Sequence, residues 1–155
     1  DKKEFFTTYN RTDDANRIQD ILTSLAYLRE QAGSLPIKVV GYEAAGLWCL
    51  CARALAKDDA WFALDAMQFN AASDDAYLKA LDIPGIRRAG DLRSAAILNL
   101  RSPLWVSNAG PGFPTSWIQS VYQSLGRGDL LRIDADRAAD TAIFNWLVSA
   151  SNRSK

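Results

Sequence analysis

The feature that most constrains the fold is a regular alternation between short apolar runs and helical patterns. Strands are predicted over four such runs, at 37–40, 61–64, 103–106 and 130–133. The segments around them predict helices at 12–30, 43–55, 74–81, 91–98, 115–125 and 137–149. Continuously apolar strands are typical of parallel strands that are buried on both faces. The sequence therefore predicts an α/β domain with three layers, αβα, and a mostly parallel sheet of about four strands.

Length and charge narrow the class of protein further. The chain has 155 residues without an internal repeat or a long linker, so one domain spanning 1–155 is expected. Its 18 Lys and Arg residues balance 18 Asp and Glu residues, which leaves no basic face for phosphate backbones or anionic lipid. No apolar stretch reaches the roughly 20 residues of a membrane span. We expect neither a nucleic-acid nor a membrane partner.

The composition excludes several kinds of site, because the chain contains no histidine. Ser-His-Asp and Cys-His catalysis and imidazole metal sites are therefore impossible within this sequence. The two cysteines, Cys49 and Cys51, lie two positions apart on a predicted helix and point in different directions. We expect them to be buried small side chains, and we expect no cofactor and no metal site.

The first residue is Asp1 rather than Met, which suggests a piece of a longer polypeptide. The cellular compartment stays open. A signal peptide in an upstream segment would make the parent protein secreted or periplasmic.

The most informative turn is the run 39–46, Val-Val-Gly-Tyr-Glu-Ala-Ala-Gly. It places a strand, a tight turn and a buried helix in direct succession at the carboxyl end of a strand, where α/β folds gather their chemistry. This is the frame of a nucleophile elbow, G-x-S-x-G, with Glu43 in the serine position and Ala45 in the second glycine position. Gly46 extends the match.

Other segments join this turn in a characteristic order along the chain. They are Tyr9-Asn10-Arg11-Thr12 before 17–22, Pro84-Gly85-Ile86 before Gly90-Asp91-Leu92, and Arg101-Ser102-Pro103-Leu104. In these marks the chain resembles the α/β-hydrolase superfamily, specifically the C-terminal half of bacterial acetyl xylan esterases and dienelactone-hydrolase-like proteins. The resemblance covers nearly the whole chain. It implies the fifth to eighth strands of that fold, with the first half of the sheet lying outside this sequence.

The resemblance also indicates where catalytic residues would lie, and each position is degenerate. Glu43 takes the place of the nucleophile, Asn108 lies where the acid is expected, and Asp136 is the polar candidate in the position of the histidine. The backbone N–H of Ala44 would be one oxyanion donor. The resemblance thus implies a hydrolase ancestry, while ordinary serine esterase activity is excluded.

Two interpretations of Glu43 remain open. Glu43 and Asp136 would work as an acid and base if their carboxylates lay close enough to separate their pKa values. Alternatively, Glu43 caps the helix that follows or forms an ion pair, because a carboxylate in a first helical turn is favoured by the helix dipole.

Four aromatic residues near the same strand ends are candidates for contacts with a ligand. Tyr42, Trp105, Phe113 and Trp117 would face a ligand there if their rings stacked on a sugar, and core packing is the competing interpretation.

Three functions follow as hypotheses. The first is a catalytically degenerate hydrolase-like domain that acts as a structural or interaction lobe of a larger protein or oligomer. Its partner would be a second copy of the chain or an N-terminal half of the same fold, because the strand at 37–40 would otherwise have an unpaired edge. The alternatives are a carbohydrate-ester hydrolase completed by residues outside this chain and a carbohydrate-binding module.

Overall fold

The computed structural model describes residues 10–57 and 59–150. Tyr9, one mark of the resemblance, lies outside the described residues. Six α-helices and four strands follow one another in the described part of the chain. They are α1 Asp13–Ala32, β1 Lys38–Gly41, α2 Ala44–Leu55, β2 Trp61–Asp65, α3 Asp74–Ala80, α4 Asp91–Ile97, β3 Leu104–Ser107, α5 Thr115–Ser124, β4 Leu131–Ile133 and α6 Asp140–Ala150, with a short 3-10 turn at Gly128–Leu130 before β4.

The four strands form one parallel sheet in the order β1-β2-β3-β4. Val40 pairs with Ala63, and Ala63 pairs with Trp105 on the next strand. The predicted α/β class with a parallel four-stranded sheet is confirmed. Strand β1 lies at one edge of the sheet and β4 lies at the other.

Side chains that alternate along the strands supply two separate layers. Phe62, Leu64, Leu104 and Val106 are buried under helices α1 to α5. Ala63 and Trp105 point to the opposite face, where Ile143 and Leu147 of α6 cover them. Each strand is followed in the sheet by the next strand of the chain, so the right-handed crossovers all lie on one face. Of the described helices, α6 covers the other face.

Helix α1 is attached to this core by polar contacts at its first turn. The Thr12 hydroxyl accepts from the backbone N–H of Ala15 and caps the helix. The Asp14 carboxylate accepts from the Trp48 indole N–H at 2.6 Å and from the backbone N–H of Asp82 at 2.6 Å. The Asp14 carboxylate, in the first turn of α1, therefore also attaches α1 to α2 and to the loop after α3.

The largest difference from the predicted elements is in the last helix, which begins at Asp140 rather than at 137. A backbone ladder between 108–110 and 134–136 precedes this helix. Asn108 N–H donates to Asp136 O, Ala109 N–H to Asp134 O, and Gly110 N–H to Ala135 O. Residues 134–136 are therefore held outside a helix, and α6 begins at Asp140.

Smaller corrections concern caps and burial. A threonine cap is predicted for the helix at 115–125, but Thr115 is already its first residue and the position before it, Pro114, makes no side-chain cap hydrogen bond, so this prediction is wrong. Ala142 is exposed, although its spacing predicts a buried position. Cys49 and Cys51 are free and buried, as predicted. Within the described ranges, no helix combines the length and the apolarity needed to cross a membrane.

Candidate functional site

The turn after β1 has the tight geometry that its small residues predict. A Cβ added to Gly41 would lie 2.8 Å from the backbone oxygen of Ala45, and one added to Gly46 would lie 2.0 Å from that of Asp65. Gly46 N–H donates to Glu43 O at 2.8 Å and closes the turn. Larger side chains at these two positions would separate α2 from β1 and β2.

Glu43 lies at the tip of this turn in a strained conformation, with φ 52° and ψ −133°. L-residues rarely adopt positive φ because the Cβ meets the backbone. The side chain is exposed, makes no cap hydrogen bond and forms no ion pair with a described residue. The interpretation of Glu43 as a cap is therefore wrong. The carboxylate is presented to solvent at the head of α2, beside the N–H of Ala44 in the first helical turn.

The most deeply buried acid at the strand ends is Asp65, the last residue of β2, which is 4% exposed. Its Oδ1 accepts from the backbone N–H of Met67 at 2.7 Å and from the Asn108 side-chain amide at 2.8 Å. Arg137 Nε lies 3.9 Å from its Oδ2. Sequence reasoning missed Asp65. The available signal was a carboxylate directly after a continuously apolar strand.

Backbone strain is concentrated at this edge. Among the described residues, five that are not glycine have positive φ, and four of them, Glu43, Met67, Gln68 and Asn108, follow the carboxyl ends of β1, β2 and β3. The loops after β2 and β3 are joined by hydrogen bonds from Gln68 N–H to Asn108 O and from Ala71 N–H to Gly112 O. Strain that the surroundings hold in place in this way is typical of functional sites.

The predicted positions Asn108 and Asp136 are joined through the backbone and not through their side chains. The Asn108 amide is engaged by Asp65, and its backbone N–H donates to the backbone oxygen of Asp136. The Asp136 side chain is exposed, and no hydrogen bond joins it to Glu43 in the described part of the chain. Asp136 thus contributes to the strand-end loops through its backbone.

The four aromatic candidates separate into two groups. Tyr42 and Trp117 are exposed, and the Tyr42 hydroxyl donates to Asp140 Oδ1 at 3.1 Å. Desolvation, together with this hydrogen bond to Asp140, raises the pKa of Tyr42. Trp105 and Phe113, in contrast, are only 1% and 5% exposed. These values favour core packing over ligand stacking for both.

The surroundings of Trp105 show why its ring is not free for a ligand. Its indole N–H donates to Asp134 Oδ2 at 2.9 Å, and the Arg132 guanidinium lies 3.9 Å from its ring centroid. Trp146 packs edge-on at 5.5 Å between centroids. A binding function at the strand ends would therefore depend on Tyr42 and Trp117.

No group of three or more potential metal ligands occurs in the ranges that the structure describes. No family model, curated protein or solved structure matches the chain. The features that bear on function are the geometry of the strand ends and the position of β1 at the edge of the sheet.

Proposed function

We propose that this chain is a catalytically degenerate α/β-hydrolase-like domain that works as a structural and interaction lobe. The observation that carries the proposal is Glu43, held at positive φ on a strand-turn-helix whose two glycines permit no side chain. A sharp, strained turn of this kind is where such enzymes expose a nucleophile. Here the turn carries a carboxylate in a chain without histidine.

A carboxylate at this position does not complete a catalytic cycle by itself. Attack of the Glu43 carboxylate on an ester carbonyl would expel the alcohol and leave a mixed anhydride, whose hydrolysis needs a base to activate water. The described residues offer no such partner in hydrogen-bond contact with Glu43. We therefore infer that the turn keeps the shape of a nucleophile elbow without the groups needed for ester hydrolysis.

The interaction role is supported by the place of α1 in the fold. Helix α1 is buried in the same layer as α2 to α5, through Ile18 and Leu25. If a further parallel strand preceded β1 on its outer side, the right-handed connection between the two strands would place its helix on this face. The position of α1 therefore suits a preceding parallel strand next to β1, which lies at the edge of the described sheet.

The opposite face of β1 is also incompletely covered. Val40 points to the face of α6 and is 38% exposed. Because Tyr42 binds Asp140, the flank of α6 with Asp140 faces β1, and Phe144 and Val148 lie one and two turns further along that flank. Phe144 is 66% exposed and Val148 is exposed as well. We call Val40, Tyr42, Phe144 and Val148 the edge surface.

The occupant that fits this surface is the N-terminal half of the same fold. A parallel strand from it would pair with β1, and a helix from it would cover the edge surface. When this chain is alone, the same edge is expected to bring two copies together.

Light scattering coupled to size exclusion tests the interaction role. The isolated chain is expected to form dimers as its concentration rises, and Phe144→Glu is expected to shift the equilibrium towards monomer. Leu78→Glu, which changes an equally exposed leucine on α3, is the matched control and is expected to leave association unchanged. A monomer at every concentration, or the same response to both variants, contradicts the proposal.

Ester hydrolysis tests the degeneracy of the site. With p-nitrophenyl acetate, the isolated chain is expected to show no turnover above that of Glu43→Gln. Turnover that Glu43→Gln abolishes would show that the carboxylate is catalytic.

A second candidate function is that of a carbohydrate-ester hydrolase whose active site is completed by residues outside this chain. The observation that favours it is the strain at the strand ends around the buried Asp65. In that case a longer protein containing this chain would hydrolyse acetylated xylan, and its activity would be lost with Glu43→Gln, whereas the chain alone would remain inactive.

A further inference from the structure

A cleft of about 350 Å³ lies at the amino ends of the strands, at the opposite edge of the sheet from Glu43. Trp61, the first residue of β2, and Trp146 of α6 form its aromatic wall. Asp59, Arg101, Asp129 and Arg132 supply its charged lining. The volume is at the lower end of the range for ligand sites, so it suits a single small ring.

The two tryptophans present a folded aromatic surface. Their ring centroids are 5.3 Å apart and their planes are tilted by 58°. Both side chains are half-buried, so part of each indole stays accessible from the cleft. Such a surface can accept the apolar C–H face of a ring that is polar at its rim.

The charged groups of the lining are not equally engaged. Asp59 is paired with Arg29 at 3.2 Å, and Arg132 is paired with Asp134 at 2.9 Å. Arg101 and Asp129 are exposed and form no ion pair with another residue in the described ranges. One guanidinium donor and one carboxylate acceptor thus remain for a ligand beside the indoles.

We propose that this cleft binds a neutral pyranose sugar. The C–H face of the ring would lie on Trp61 and Trp146, while one hydroxyl accepts from Arg101 and another donates to Asp129. The two acidic and two basic side chains of the lining cancel in formal charge, which favours a neutral ligand over an acidic or a basic one. This site is distinct from the strand-end residues and does not depend on the proposed interaction role.

Nuclear magnetic resonance of the tryptophan indole N–H groups tests the proposal directly. The five signals are assigned with Trp→Phe variants, and the protein is titrated with methyl β-D-glucopyranoside and methyl β-D-xylopyranoside. The signals of Trp61 and Trp146 are expected to shift on titration with a glycoside, whereas those of Trp48 and Trp117 are expected to remain in place.

Variants of the exposed Arg101 and Asp129 distinguish sugar binding from core packing, because they leave Trp61 and Trp146 unchanged. Arg101→Gln and Asp129→Asn are each expected to weaken binding about tenfold, since each removes a charged hydrogen-bond partner of the sugar. Arg17→Gln and Asp20→Asn, on the exposed side of α1, are the matched controls and should not change it.

Three results with the neutral glycosides would overturn the proposal. They are the absence of any shift with both glycosides, equal shifts at Trp117, and affinity that Arg101→Gln and Asp129→Asn leave unchanged. Binding of benzoate or glucuronate in place of the neutral glycosides would also overturn it, because the cleft would then select an aromatic or an anionic ligand.

Discussion

The side-chain amide of Asn108 donates a 2.8 Å hydrogen bond to the buried carboxylate of Asp65. Asn108 follows β3, where the resemblance places an acid, whereas Asp65 ends the neighbouring strand and pairs in register with Ser107. The carboxylate at these strand ends therefore lies one strand away from its expected position. It organises the loops after β2 and β3 through Met67 and Asn108.

Replacing Asp65 is expected to destabilise the domain. Asp65→Asn keeps an oxygen that can accept from both Met67 and Asn108, but it makes both hydrogen bonds neutral and places an amide NH2 group beside the Arg137 guanidinium, so a cost of about 1–3 kcal/mol is expected. Urea unfolding measures the change. Asp136→Asn is the control, since its exposed side chain should tolerate the change with less than about 0.5 kcal/mol. Equal effects of the two substitutions would show that Asp65 has no special structural role.

Glycine at position 43 is expected to stabilise the protein. Glu43 has φ 52°, its side chain has no described partner, and glycine adopts such a conformation without steric cost. Relief of the strain is expected to raise the free energy of unfolding by about 1–2 kcal/mol. Thermal and urea unfolding of Glu43→Gly provide the measurement.

The matched variant is Glu43→Ala, which removes the carboxylate but keeps the Cβ that causes the strain. Its stability is expected to stay within about 0.5 kcal/mol of the parent chain. If Glu43→Gly is no more stable than Glu43→Ala, the turn does not store strain.

The order of strands and helices could be predicted from sequence because local patterns determine it. Continuous apolar runs such as 61–64 read as buried parallel strands, and the glycines at 41 and 46 indicate the tight turn. The backbone pairing of 134–136 with the loop after β3 could not be predicted, because its partner segment lies more than 20 positions away in the chain.

The candidate site was only partly predictable for a similar reason. The position of Glu43 follows from spacing along the chain, but the hydrogen bonds of Asp65 depend on a partner 43 positions away. Trp105 is buried because α6 covers its face of the sheet, and the right-handed crossovers place the preceding helices on the opposite face. Long-range contacts of this kind leave no periodic signal in a single sequence.

The buried Arg53 is expected to be essential for stability. It is 0% exposed and donates to the backbone oxygens of Ala96 at 3.1 Å and Ser102 at 2.7 Å, and to the Tyr122 hydroxyl at 3.1 Å. Burial lowers the pKa of Arg53 and raises that of Tyr122. Arg53→Met fills similar space but leaves two buried carbonyl groups without this donor, so a loss of about 3 kcal/mol or more is expected.

A milder variant keeps this prediction measurable if Arg53→Met does not fold. Tyr122→Phe removes the hydroxyl that accepts from Arg53 and donates to Ala96 O at 3.0 Å. Its expected cost is about 1–3 kcal/mol in urea unfolding. A neutral Tyr122→Phe would mean that Arg53 is held by the backbone carbonyl groups alone.

The two buried cysteines predict a loss of stability in alkaline solution. Burial raises the pKa of Cys49 to about 11 and that of Cys51 to about 12, from an ordinary value of 9.0. Below pH 9 both thiols are protonated in the folded and unfolded chains, so they add no pH dependence. Above pH 9 the unfolded chain releases these protons, whereas the folded chain keeps them until the raised pKa is reached. In that range each thiol lowers the free energy of unfolding by up to about 1.4 kcal/mol per pH unit. Urea unfolding between about pH 8 and about pH 10 should show this decline, and Cys51→Ala should make it shallower, whereas an unchanged slope in Cys51→Ala would mean that the buried thiol already ionises in the folded protein.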